Sequence, residues 1–96
     1  MKQILVAFLA VGALTGGASA AAPSADQKAE FYKTCMRIAE NDTLCTCKAD
    51  AALELIDADF MAVVISAMKG KAPAETYTVP YDAYISRSNA ICIPGY

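Results

Sequence analysis

Cys45 and Cys47 stand one residue apart in the stretch LCTCKAD, in a chain that has only four cysteines. A Cys-x-Cys pair has three uses in chemistry: soft-metal ligation, thiol–disulfide exchange and cross-linking. For Cu(I), the thiolates would be joined by methionine sulfurs, and Met36, Met61 and Met68 are available. Met61 and Met68 fall in an apolar run, however, where methionine serves as core filling. Zinc held by all four cysteines lacks the paired spacing that structural zinc sites use. A redox enzyme needs an exposed thiol of low pKa, and only Lys48 is near enough in sequence to favour a thiolate. Static cross-linking is the reading that the neighbouring residues favour, with soft-metal binding as the alternative.

Other catalytic chemistry lacks its parts. The chain has no histidine, which removes the commonest general base and the usual partner of a Ser or Cys nucleophile. Asp57 and Asp59 resemble a carboxylate pair, but they precede an apolar run, where a helix cap is their natural role. No glycine-rich phosphate loop is present, so no enzymatic activity, cofactor or metal is assigned. Tyr77, Tyr81 and Tyr84 form a candidate interaction surface. Tyr81 and Tyr84 also suit a place over the core with their hydroxyls at its edge.

These residues must be positioned by a small body. The N-terminus runs from MKQ through ILVAFLAVGALTGG to ASA, the basic, apolar and small-residue segments of a cleavable signal peptide. Residues 1–20 are therefore expected to be removed after Ala20, since the apolar stretch is shorter than the ~20 residues of a membrane span. That takes Lys2 from the eight basic residues and leaves all ten acidic ones, a net charge of −3. A mildly acidic chain without a basic cluster suits neither nucleic acid nor anionic lipid.

Residues 21–96 then read as one helical domain. A first helix is expected over 24–41, opened by a Ser24/Gln27 capping box, with Phe31, Tyr32, Cys35, Met36 and Ile38 on its apolar side. A second, over about 44–56, follows a cap at Asp42 or Thr43. It carries Leu44, Cys47, Ala51 and Leu55 on one apolar flank and Cys45, Ala49, Ala52 and Ile56 on the other. Lys48 lies between the flanks and would extend its amine to water. The third helix, capped by Asp57 or Asp59 and stopped near Lys69-Gly70, is almost wholly apolar and expected to be the most buried, although AVVI alone could also make a short strand. Residues 71–80 read as a loop, and a last helix spans about 81–92, with Tyr84, Ser88 and Cys92 near one stripe.

Side chains at i and i+2 of a helix point about 200° apart, so Cys45 and Cys47 each reach a different neighbour. Two pairings remain. A hairpin turning near residues 41–42 favours Cys35–Cys47 with Cys45–Cys92 over Cys35–Cys45 with Cys47–Cys92. The fold class is all-α: a disulfide-stapled bundle of about four helices behind a cleaved signal peptide. The expected function is a binding module in the periplasm or outside the cell. It would hold an unknown protein or a small apolar ligand of the envelope, without stable membrane insertion once the signal is cut.

Overall fold

The computed structural model describes residues 21–93, so the expected signal peptide, residues 1–20, lies outside the described residues. Within them the chain forms four α-helices and no strand: α1 (Ala25–Ala39), α2 (Asp42–Leu55), α3 (Ala58–Met68) and α4 (Thr78–Cys92), with a 3-10 turn at Glu75–Tyr77 before α4. Two disulfides staple the bundle.

The capping box at the head of α1 is present in both directions. Ser24 Oγ accepts from the Gln27 N–H at 3.0 Å, and Gln27 Oε1 accepts from the Ser24 N–H at 3.0 Å. The same Gln27 side chain donates to the Ala58 carbonyl at 2.9 Å, and the Ala58 N–H donates to the Ala21 carbonyl at 2.8 Å. The first residues of the described chain thus satisfy a free N–H at the start of α3, a group that the helix itself cannot pair.

α1 stops earlier than expected, at Ala39, because Glu40 takes the left-handed conformation (φ 50, ψ 42) and reverses the chain. Asn41, rather than Asp42 or Thr43, then caps α2, its side-chain oxygen accepting from the Leu44 N–H at 3.0 Å. The link between the helices is therefore two residues long, and the hairpin folds about residue 40. Positions 35 and 45 lie equally far on either side of it. The disulfide is accordingly Cys35–Cys45, with Cys47–Cys92 as the second. This corrects the expected Cys35–Cys47 and Cys45–Cys92: placing the turn one residue too late raised the partner on α2 by half a helical turn. Cys45 and Cys47 do point to opposite neighbours.

α2 is the axis of this arrangement. Its Cys45–Ala49–Ala52 flank is fully buried, while Cys47 on the opposite flank reaches α4. Alanines at the contact let the backbones approach closely. The principal contacts are α1 with α2, α2 with α4, and α1 with α3. α3 is capped by Asp57, whose carboxylate accepts from the Phe60 N–H at 2.8 Å, and it ends before Gly70, which takes a positive φ of 101. Asp57 is thus a cap, and Asp59 an exposed first-turn residue. Met61, Val64 and Ile65 enter the core, but Ala62 is exposed and Phe60 and Val63 are half-buried. An apolar composition thus does not make α3 the most buried helix: its contact is one-sided, whereas α2 is flanked on two sides.

α4 begins three residues before the expected Tyr81, with Pro80 inside its first turn. Proline is tolerated there because first-turn N–H groups have no intrahelical acceptor to lose. Among the described residues no helix is long and apolar enough to cross a membrane.

Candidate functional site

α3 packs on α1 and α4 on α2, and aromatic rings bridge α3 to α4 and to the turn before it. Phe60 stacks on Tyr77 with centroids 5.5 Å apart and meets Tyr84 edge-on at 6.3 Å. Beside that cluster, with Tyr84 common to both, the helices leave an apolar groove of about 160 Å³. Phe31, Cys35 and Ile38 of α1 form its floor, with Leu44 and Lys48 of α2; Val64 and Met68 of α3 make one wall, and Tyr81, Tyr84 and Ile85 of α4 the other. Ile38 is 62% exposed, so the apolar arc of α1 runs beyond what its neighbours cover. Protein cavities of about 150 Å³ take a benzene-sized guest.

The three tyrosines do not share one exposed patch. Tyr84 is buried, Tyr77 is held against Phe60, and Tyr81 stands half-buried at the groove. Burial pushes the Tyr84 hydroxyl up to about 12, with the Ser88 side chain lowering it in part and Tyr81 raising it. It is a neutral donor at any physiological pH.

Lys48 supplies the polar end. Rather than running out freely into solvent, its amine crosses to α4, donating to Ser88 Oγ at 2.9 Å and to Asn89 Oδ1. Ser88, fully buried, in turn donates to the Ile85 carbonyl at 3.2 Å. Burial lowers the Lys48 pKa. The ion pairs lie elsewhere, Lys28 with Asp50 and Lys69 with Glu30, so both acceptors on the Lys48 amine are neutral. The sequence did carry a signal for this site: a single lysine between two apolar flanks of α2. What it lacked was the position of α4, whose Ser88 and Asn89 receive the amine.

A larger concavity of about 550 Å³ runs along Asp42, Thr46, Asp50 and Glu54 on the exposed face of α2. Asp50 is already paired with Lys28 at 2.7 Å and Asp42 accepts from the Tyr32 hydroxyl, so this is the solvated side of the helix. The cysteines offer no thiolate, since all four sulfurs are joined in pairs. Met61 is wholly inside the core, and Met68 lines the groove.

The molecule is thus a small all-α, disulfide-stapled bundle with an apolar groove. Set against protein-family models, curated proteins and solved structures, the chain finds no match in any of the three. Its two intramolecular disulfides suit an oxidising compartment, periplasmic or extracellular.

Proposed function

We propose that the protein is an exported binding module that holds a small apolar ligand in the groove between α1, α3 and α4. Residues 1–20 act as its signal peptide and 21–96 as its single domain, released by cleavage after Ala20 into the periplasm or the medium. The observation that carries this reading is the groove itself, with its apolar walls and the exposed Ile38 in its floor. Small-molecule sites are concave and apolar with few polar groups, which is the composition found here. Catalysis has no support from the residues: no histidine exists, and Asp57 is engaged as a cap. Intact mass of the exported protein tests the export step, with an N-terminus at Ala21 expected.

Titration of the mature protein with toluene, followed by ¹H–¹⁵N correlation spectra, tests the groove. Saturable shifts are expected at Val64, Met68, Tyr81 and Ile85. A Met68→Trp variant, which fills the groove from its rim, should lose them while keeping its melting temperature. Shifts that never saturate, or that gather on another face, remove the proposal. The soft-metal alternative needs free thiols, and a thiol count on protein isolated without reductant separates the two: zero is expected.

A further inference from the structure

We infer that the groove selects an anion: a free monocarboxylate with a benzene-sized apolar body, its ring or short branched chain against Val64 and Tyr81 and its carboxylate on the Lys48 ammonium. This rests on the groove being a ligand site and specifies the chemistry of the ligand. An ammonium has three N–H donors and no acceptor capacity. Two of those donors meet neutral oxygens, Ser88 Oγ and Asn89 Oδ1, and the third is left for a ligand oxygen. Lys48 lines the groove, is half-buried, and has no acidic partner within ion-pair distance among the described residues. A charge withdrawn in part from water gains from a counter-ion, because a carboxylate adds Coulomb attraction to the charge-assisted hydrogen bond that a neutral acceptor would also make.

The size of the groove sets the rest of the ligand. A volume of about 160 Å³ receives one ring or its aliphatic equivalent. A peptide is the poorer occupant. The described residues contain no strand edge on which an extended chain could pair, and a groove of this size is too short for the i, i+4, i+7 row of a docked helix. Ser88 and Asn89 hold the Lys48 amine in place, so little freedom is lost when the carboxylate binds.

The experiment compares phenylacetate, its neutral isostere phenylacetamide, acetate, and a short peptide ending in phenylalanine, each titrated into the mature protein with spectra and calorimetry. Phenylacetate is expected to bind roughly tenfold more tightly than the amide, the difference shrinking as salt is raised. Acetate should give no saturable shift. Lys48→Met should abolish the preference for phenylacetate over phenylacetamide; Lys48→Gln, less apolar, repeats the test if the first variant melts early. Equal binding of acid and amide overturns the role of Lys48 while the groove reading stands. Failure of both aromatic compounds overturns the groove reading and this inference together. Acetate saturating alone means an adventitious ion only, and tighter binding of the peptide, or ligand-free shifts that grow with protein concentration, assigns the groove to a protein partner or a second copy and sinks the small-acid proposal.

Discussion

The α1–α2 hairpin and the α3–α4 pair are held together in opposite ways. Between α1 and α2 there is a disulfide, an ion pair from Lys28 to Asp50 and a hydrogen bond from Tyr32 to Asp42, closed by a two-residue turn. Between α3 and α4 with its leading turn there is a cluster of three aromatic rings, Phe60, Tyr77 and Tyr84, and no covalent link. Both cross-links fall on α2, one on each flank, so α1 and α4 are stapled to it, while α3 has no covalent link and is held by packing, by hydrogen bonds from Gln27 and to Ala21 at its start, and by the Lys69–Glu30 ion pair at its end. The groove opens on that unstapled side. Covalent staples allow so small a body to keep a cleft open, since the core need not be filled on every side to hold the fold.

The largest effect should come from attacking the packing of α3, the helix that carries no covalent staple. Val64 is 2% exposed, and Val64→Asp places an unpaired carboxylate in the core, at a cost of several kcal/mol against the roughly 5–15 that holds a domain together. Loss of the cooperative melt is expected. An unchanged melting temperature would show that α3 is not part of the core and would dissolve the contrast.

Removing the two staples separately sharpens it. On the chain-entropy model, the Cys47–Cys92 loop, with a separation of 45, contributes about 4 kcal/mol. Cys35–Cys45, with a separation of 10, contributes about 3. Paired Cys→Ala variants measured by chemical denaturation should rank in that order, and α4 should exchange its amide protons faster only when the long staple is cut. Peptide mapping without reductant checks the connectivity first. It requires a cut between Cys45 and Cys47, because trypsin acts only after Lys48.

Tyr84 reports on the aromatic side through pH. Its hydroxyl titrates near 12 in the fold against an ordinary value of 10.0, so the unfolded chain releases the proton first as pH rises. The stability it contributes is therefore complete below pH 10 and falls between about 10 and 12, by up to about 3 kcal/mol. The stability difference between wild type and Tyr84→Phe should drift in favour of the variant across that window. A difference that stays level would place the hydroxyl in water.

The smallest effect belongs to the hairpin turn. Glu40 is the non-glycine residue with positive φ among those described, a conformation that costs an L-residue about 1–2 kcal/mol. Glu40→Gly relieves this but adds disorder to the unfolded chain, which offsets roughly half. A gain below about 1 kcal/mol is expected, with the Cys35–Cys45 pairing unchanged.

Much of the fold was legible along the chain. The capping box at Ser24 and Gln27, the cap at Asp57 and the stop at Gly70 are local: each depends on a side chain or a backbone preference within one turn of where it acts. The two flanks of α2, and the opposite directions of Cys45 and Cys47, follow from helical geometry alone. Pairing was different, because it turned on a single residue of register at Glu40, where nothing local marks glutamate for the left-handed conformation. The start of α4 was hidden by Pro80, which breaks a helix interior but is neutral in a first turn. Lys48 showed the same division. Its place between two apolar flanks could be read from its neighbours in sequence, but the partners of its amine lie about forty residues away on α4. The groove belongs wholly to tertiary structure, since it is the space left between α3 and α4, each packed against the hairpin, beside their aromatic contact. Local hydrogen bonds and periodicity determine where helices begin, end and turn their apolar faces; which faces remain uncovered depends on how far apart the packed helices stand.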